Sequence, residues 1–290
     1  MELVTFRLPR RRADHKPVVI RPLGDFQYNG KRSATALDLL KRDIDQTLEL
    51  DGYFIGMGDY TDFMSPSNRQ RRRSAAFYDT AEAAIDDKAS DLVQELFDLA
   101  LRPTVGRWIG LLEGHHYADL KSGETTDMLL CRLLKTRHLG TEAGIRLQFE
   151  INSTKGNICL WAHHGVGGGG KTASPLNKLE NMAAYWGGFD VFLMGHSTKA
   201  PAAPINRVYP RWHGTHAPDL VHKTIYFVST GGYCKAHRVG NREGQVPRGD
   251  YAEQGMMPPA VLGSPLIKIA PWRRVIDGAT VWSPEVKVEL

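Results

Sequence analysis

Five apolar segments of this 290-residue chain end alike, because an acidic residue or a histidine follows the last apolar positions of each. The segments are VVIRPLGDFQ, YFIGMGDYTD, RWIGLLEGHH, NICLWAHH and FDVFLMGHST. Short apolar runs of this kind predict buried strands, and helical periodicity recurs between them. Alternating strands and helices indicate an α/β layered fold, whose strands gather their carboxyl ends at one edge. The sequence therefore predicts that carboxylates and imidazoles from five parts of the chain lie together.

The rest of the pattern predicts how this core is organised. Helices are expected in four regions, at about 37–48, 74–101, 127–135 and 176–186. Proline and glycine become more frequent late in the chain, where KTIYFVST, PLIKIA and ATVWS predict an antiparallel closing sheet. No repeat or low-complexity linker divides the sequence. We therefore predict a single domain over residues 1–290, with its core at about 17–200 and a loop-rich extension over 201–290.

Composition restricts the class of protein. A hydrophobic content of 42% is sufficient for a buried core. The three cysteines, Cys131, Cys159 and Cys234, form no C-x-x-C pair, which favours a reducing compartment over disulfides or a thiolate metal site. The sequence contains neither a signal-peptide pattern nor an apolar run of about 18 residues. We therefore expect a soluble cytoplasmic protein without a membrane segment, and no pattern indicates an obligate protein partner.

The residues at the strand ends suit a metal centre. Each one alone has an ordinary interpretation, since Asp after Gly commonly caps a turn and a buried His commonly hydrogen-bonds within a core. Five strand ends that all supply such residues are harder to explain in this way. Carboxylates and imidazoles without thiolates suit Mn, Fe, Zn or similar divalent ions, and a carboxylate can bridge two of them.

The order of these motifs resembles that of the calcineurin-like metallophosphoesterases, which runs D-x-H, G-D-x-x-D, G-N-H-[DE], H and G-H-x-H. GDYTD is a full match, and GDFQ, GHHY, AHHG and GHST are partial matches, all within about residues 17–200. The later segment YAEQGMMPPAVLGSPLIKIA is similar to the end of phage-encoded members. The resemblance implies a four-layer α/β/β/α sandwich with two central mixed sheets, and hydrolysis of phosphate esters by a metal-activated water.

The resemblance also implies two divalent metal ions, with manganese expected first and iron, zinc or nickel as alternatives. Asp59 would bridge the ions, and Asp25 and Gln27 would complete one of them. The second ion would take the remaining ligands, which are His115, His163 and His196.

The family pattern implies roles for the neighbouring residues as well. His116 would act as general acid or would stabilise phosphoryl charge, and Asp62 would orient it. His163 is preferred over His164 as a ligand because the family ligand is the first His after the strand. His164 is then a candidate for substrate binding.

The chain departs from the family pattern at four positions. Gln27 replaces a His, Thr198 replaces the second His of G-H-x-H, and Tyr117 replaces the acidic residue after the catalytic His. His115 replaces the usual Asn and adds an imidazole to the second ion. We therefore predict one tight and one loose metal site, and a single-metal enzyme or a non-catalytic binding protein remains an alternative. His213, His216 and His237 are candidates to substitute for the ligand lost at Thr198.

The segment GVGGGGKT fits the phosphate-binding pattern G-x-x-x-x-G-K-[ST], which ends here at Lys171 and Thr172. Pro175 favours a helix that begins at Ser174 or Pro175, and this would leave Lys171 outside the helix that it should open. The next apolar strand ends in His196 rather than Asp. We therefore predict a glycine-rich loop beside the metal site, with Lys171 as a candidate phosphate contact.

Charge suggests the substrate class. Lys and Arg exceed Asp and Glu by 37 to 32, with basic clusters at 10–12 and 69–73, the second of which supplies Arg71 and Arg72 as candidate phosphate contacts. The first choice is a phosphodiester of DNA or RNA, which makes the protein a nuclease. A phosphomonoesterase acting on nucleotides or small phosphates is an alternative. A non-catalytic nucleic-acid-binding protein is another.

Overall fold

The structure, a computed structural model, describes most of the chain. The described residues are 1–9, 17–75, 79–151, 154–167, 170–212, 218–235, 237, 239–240, 242–243, 245–247, 251–254, 256, 258–276 and 279–290. The basic cluster at 10–12 and the candidates His213 and His216 lie outside the described residues.

The strands in chain order are β1 (Glu2–Arg7), β2 (Val18–Leu23), β3 (Tyr53–Gly56), β4 (Trp108–Leu111), β5 (Glu142–Ile151), β6 (Thr154–His163), β7 (Val191–Met194), β8 (Ala202–Arg211), β9 (Asp219–Ser229), β10 (Arg242–Glu243), β11 (Val246–Pro247), β12 (Leu266–Ile276) and β13 (Ala279–Glu289). The α-helices are α1 (Leu37–Glu49), α2 (Pro66–Ser74), α3 (Asp79–Leu96), α4 (Thr126–Leu134), α5 (Ser174–Tyr185) and α6 (Tyr251–Gln254). A π-helical turn at Phe97–Leu101 and a 3₁₀ turn at Arg102–Thr104 extend α3.

Two mixed sheets form the centre of the fold. One has the strand order β13-β12-β2-β3-β4, in which β2, β3 and β4 are parallel and β12 is antiparallel to β2. The other has the order β1-β5-β6-β7-β9-β8, in which β6, β7 and β9 are parallel. The late strands join both sheets, because β8 and β9 complete one and β12 and β13 complete the other.

The two sheets pack against each other through a shared apolar core. This core includes Ile20 and Ile55 from one sheet and Ile145, Leu160 and Leu193 from the other. Helices α1, α3 and α4 cover the opposite face of the five-stranded sheet, and α5 covers that of the six-stranded sheet. Strands β3 and β7 are buried on both faces, which explains their uninterrupted apolar sequences. β2 is buried on both faces as well, and its one charged residue, Arg21, forms an ion pair with Asp43 at 3.2 Å. The prediction of a layered α/β fold with two central mixed sheets is confirmed.

The predicted strands and helices are present, but the sequence did not reveal the strands β1, β8, β10 and β11 or the helices α2 and α6. β1 is an edge strand whose partner β5 lies more than a hundred residues away along the chain, so no local pattern indicates it. β8 is also an edge strand, and Pro204 and Pro210 within it argue against a strand from sequence alone. Among the described residues, no helix has both the length and the apolar character that crossing a membrane requires.

The inter-sheet core predicts that substitutions at buried strand positions lower the free energy of unfolding more than substitutions at exposed positions. Ile20 is fully buried in β2, whereas the side chain of Leu220 in β9 is 64% exposed. Ile20→Ala should lower the free energy of unfolding by about 2 to 5 kcal/mol because it leaves a cavity between the sheets. Leu220→Ala should change it little. Urea unfolding monitored by circular dichroism measures both, and equal losses would contradict this packing.

Candidate metal centre

The candidate site lies where parallel strands of both sheets end. Asp25, Asp59 and His115 follow β2, β3 and β4 of the five-stranded sheet, and His164 and His196 follow β6 and β7 of the six-stranded sheet. The backbone N–H of His196 donates a 2.9 Å hydrogen bond to Oδ2 of Asp25, which joins the two sheet edges. The predicted gathering of strand-end residues from five parts of the chain is therefore present.

Four of the strand-end residues form a compact group that could hold a metal ion. Asp59, His115, His164 and His196 each offer one ligand atom, and these atoms all lie within 4.8 Å of one another. Nδ1 of His115 is 3.3 Å from Nδ1 of His196, and Nε2 of His164 is 3.3 Å from Oδ2 of Asp59. Three imidazoles and one carboxylate match the donor preferences of several divalent transition metals.

The two carboxylate oxygens of Asp59 have different surroundings. Oδ1 accepts hydrogen bonds from the backbone N–H groups of His115 and His116, the second at 3.0 Å. Oδ2 is buried and has no hydrogen-bond partner among the described residues. The backbone therefore fixes the carboxylate through one oxygen and leaves the other facing His164.

His164 is anchored through one ring nitrogen, as a metal-binding imidazole usually is. Its Nδ1 lies 2.6 Å from the carbonyl oxygen of Met57, which can only accept, so Nδ1 donates the hydrogen. Nε2 is buried without a hydrogen-bond partner in the described structure. A histidine that donates one ring N–H to a backbone carbonyl and presents the other nitrogen is the usual arrangement of a metal-binding imidazole.

A third unpartnered atom is found beside this pair. Asp25 is fully buried, and its Oδ1 has no hydrogen-bond partner among the described residues. Unsatisfied buried carboxylate and imidazole atoms are costly, and a bound cation would satisfy them. Oδ1 of Asp25 is such an atom, and Oδ2 of Asp59 and Nε2 of His164 have a charged neighbour only in each other, at 3.3 Å, so that all three would gain a partner from a cation at this place.

The pKa values reflect burial and the charges of the cluster. Burial raises the pKa of Asp25 to about 7, although His164 opposes this effect. Burial, together with His164 and His115, lowers the pKa of His196 to about 4, so that this imidazole is neutral and able to coordinate a metal. Burial would lower the pKa of His164, but the adjacent Asp59 carboxylate outweighs it and raises the value to about 9. A metal ion between His164 and Asp59 would have to displace that proton.

The backbone at the site is strained. Asp25, Gln27, Asp59, His196 and Thr198 all have φ between 46° and 62°, the left-handed region that side chains other than Gly rarely adopt. Such residues cost free energy and concentrate at functional sites. Gly58 lets the chain pass close to His164, because a Cβ at this position would lie 2.6 Å from Nδ1 of that histidine.

A second imidazole–carboxylate pair lies next to the group of four. Nδ1 of His116 is 2.7 Å from Oδ1 of Asp62, and Nε2 of His116 is 4.0 Å from Oδ2 of Asp59. Burial lowers the pKa of His116, but the hydrogen bond with Asp62 and the charge of Asp59 outweigh it, so the pKa lies above its ordinary value. The predicted pairing of His116 with Asp62 is present.

The choice of His163 over His164 is corrected by the structure. Nδ1 of His163 accepts the backbone N–H of Gly165 at 2.7 Å, and its ring stacks on Trp161. Trp161 belongs to the core under α5, on the outer face of the six-stranded sheet. Because side chains alternate along a strand, His163 lies on the Trp161 face and the next residue, His164, reaches the sheet edge.

The residues at the two altered positions of the predicted looser site, Gln27 and Thr198, make backbone hydrogen bonds. Gln27 is half-buried, with its backbone N–H bonded to the carbonyl of Asp59. The carbonyl of Thr198 accepts the N–H of Val261 at 2.9 Å. Asp25 is not one of the four residues of the compact group.

The predicted phosphate contacts differ in their surroundings. Arg72 forms ion pairs with Glu82 and with Asp86, the latter at 2.9 Å, and so joins α2 to α3. This pairing compensates its charge and argues against the predicted phosphate contact. Arg71 and Lys171 are exposed. Lys171 precedes the first residue of α5 by three positions, as expected for a loop that is not a nucleotide-binding P-loop.

Sequence reasoning missed two buried residues that hold the loop of His115 and His116. Asp127 accepts the backbone N–H of Gly114 at 3.0 Å, and burial raises its pKa to about 7. Arg69 donates to the carbonyl oxygens of His115 and Tyr117. Asp127 resembled an ordinary acidic residue of a first helical turn, and Arg69 was one of several arginines in a basic run, so neither had a distinguishing signal.

No protein-family model and no curated protein matches the chain. The geometry of the site is then the basis for its function: the buried atoms Oδ2 of Asp59 and Nε2 of His164 face each other at 3.3 Å beside two further imidazoles.

The correction at His163 predicts a difference between two adjacent histidines. A saturating divalent ion such as Mn²⁺ at about 100 times its Kd should stabilise the folded protein by about 2.7 kcal/mol and raise its Tm. His164→Ala should abolish that rise because it removes a ligand, and His163→Ala should retain it. Thermal unfolding with Mn²⁺ and with EDTA tests this. Retention in His164→Ala together with loss in His163→Ala would restore the original assignment.

Proposed function

We propose that the protein is a metal-dependent phosphoesterase that hydrolyses phosphodiester bonds, with DNA or RNA as its substrate class. The observation that carries the proposal is the compact group of four ligands at the strand ends, in which Oδ2 of Asp59 and Nε2 of His164 are buried, lie 3.3 Å apart and make no hydrogen bond among the described residues. The order of the motifs GDFQ, GDYTD, GHHY, AHHG and GHST supports it, because it resembles that of the calcineurin-like metallophosphoesterases. The two packed mixed sheets are consistent with the four-layer sandwich of that family.

The proposed ligands would bind one metal ion more tightly than the other. Asp59, His115, His164 and His196 would hold the tighter ion, and Mn, Fe, Zn or Ni suits this set. Asp25 and Gln27 would contribute to a looser site, because the neutral amide of Gln27 is a weaker donor than the family's His. A bound divalent ion supplies a Lewis acid that polarises a phosphoryl oxygen and acidifies a water molecule.

His116 is the proposed proton donor. Asp62 binds Nδ1 of its ring, so that Nε2 is directed towards the ligand carboxylate of Asp59, 4.0 Å away. In its protonated form, His116 can give a proton to the oxygen that leaves phosphorus. Asp62 is partly exposed and therefore anchors the ring from the solvent side of the site.

The substrate class rests on charge. Cationic side chains that neutralise phosphates give much of the affinity for nucleic acid. The chain has a net charge of +5, and both Arg71, on the same helix as Arg69, and Lys171, on the loop after His164, are exposed. A phosphodiester of DNA or RNA is therefore preferred over a small phosphomonoester.

A substrate comparison tests the proposed activity. Bis(p-nitrophenyl) phosphate and labelled oligonucleotides should be hydrolysed with Mn²⁺ and not with EDTA, and p-nitrophenyl phosphate more slowly. Asp59→Asn should lose bound metal and activity together, since it removes the charge of the proposed bridging ligand. Faster hydrolysis of p-nitrophenyl phosphate than of the diesters would instead indicate a phosphomonoesterase. Oligonucleotide binding by the Mn²⁺-loaded protein without any turnover would instead favour a non-catalytic binding protein.

The proposed role of His116 gives a separate prediction. His116→Gln should lower kcat by roughly 10²- to 10⁴-fold, because it removes the proton donor and leaves the group of four intact. Asp62→Asn should lower kcat less, because the ring remains but loses its orienting carboxylate. Metal content measured on the same preparations is the control and should be unchanged. Full activity of His116→Gln would refute the assignment.

A further inference from the structure

Arg69 is a buried cation on α2, next to the proposed metal ligands. Arg69 is only 7% exposed, and its guanidinium carbon lies 3.7 Å from the centre of the Tyr117 ring. No carboxylate lies within ion-pair distance of Arg69 in the described part of the chain. Burying an uncompensated charge is costly, so its surroundings must supply the stabilisation.

Backbone carbonyl groups supply that stabilisation. Nη1 of Arg69 donates to the carbonyl oxygens of His115 at 2.5 Å, Met64 at 2.8 Å and Tyr117 at 3.0 Å. Two of the three carbonyls belong to the loop that carries His115 and His116. Arg69 therefore fixes this loop from α2.

One peptide unit connects Arg69 to Asp59. The carbonyl oxygen of His115 accepts from Arg69, and the N–H of the same peptide unit, which belongs to His116, donates to Oδ1 of Asp59 at 3.0 Å. The peptide dipole thus lies between a cation at its oxygen and a carboxylate at its hydrogen. Hydrogen bonds in such chains polarise and strengthen one another.

We propose that Arg69 is a positioning residue that acts on Asp59 through the peptide bond between His115 and His116. By holding the His115 carbonyl, it directs the His116 N–H onto Oδ1 of Asp59 and leaves Oδ2 for the metal ion. The inference rests on the metal centre of the proposed function. Arg69 does not contact substrate in this role, because it is buried and its Nη1 already donates to three carbonyl oxygens.

The test compares Arg69 with Arg73 on the same helix. Arg73 forms an exposed ion pair with Asp119 at 2.6 Å and makes a matched control. Metal-free proteins are titrated with Mn²⁺ by calorimetry, and their Tm is measured in EDTA. Arg69→Met should weaken Mn²⁺ binding by about tenfold or more, the loss seen when residues that orient metal ligands are removed. Arg73→Met should leave Mn²⁺ affinity unchanged.

Arg69→Lys separates positioning from a purely structural role. Lysine keeps the charge and can reach one carbonyl, so its Mn²⁺ affinity should lie between those of wild type and Arg69→Met. If Arg69→Met does not fold, Arg69→Lys against wild type decides the question. Wild-type affinity in the Arg69 variants would overturn the inference. A lower Tm in EDTA with unchanged Mn²⁺ affinity would show a structural role and would overturn it as well.

These results are distinguishable from failure of the proposed function. If wild type binds Mn²⁺ but hydrolyses no phosphate ester, the proposed activity fails, while the affinities of the Arg69 variants still decide the inference. If wild type binds no divalent ion, both are overturned.

Discussion

The site depends on how the carboxylate of Asp59 is divided between the backbone and the centre of the cluster. Two consecutive N–H groups, of His115 and His116, bind one oxygen, and the other oxygen faces Nε2 of His164 without a hydrogen bond among the described residues. Because these contacts join the end of β3 to those of β4 and β6, the same carboxylate links both sheets. The proposed chemistry needs this division, since only the free oxygen can bind a cation.

The fold supports this arrangement from several sides. The inter-sheet core packs the two sheets together, and α2 and α4 contribute Arg69 and Asp127, which bind the loop of His115 and His116. Left-handed backbone at several site residues and unpartnered buried atoms both cost stability. The strained backbone and the buried polar atoms without hydrogen bonds occur together at the strand ends, and a binding site explains this better than packing does.

Much of the fold and part of the site follow from sequence, and the missing parts have physical causes. The apolar runs and the residues after them predicted the strands, the layered α/β arrangement, and the positions of Asp59, His115 and His196 at one edge. The choice between His163 and His164 failed because it depends on strand parity, and a shift of one residue reverses the face. Arg69 was missed because its partners lie up to 48 residues away, so that its burial is a tertiary property.

The most direct test of the metal centre is anomalous diffraction from a crystal of the protein loaded with Mn²⁺. We predict one dominant peak, bonded to Oδ2 of Asp59, Nε2 of His164 and the imidazoles of His115 and His196, with any weaker second peak towards Asp25 and Gln27. A dominant peak at another place would contradict it. So would a crystal in Mn²⁺ without a peak, in which Nε2 of His164 donates its hydrogen to Asp59.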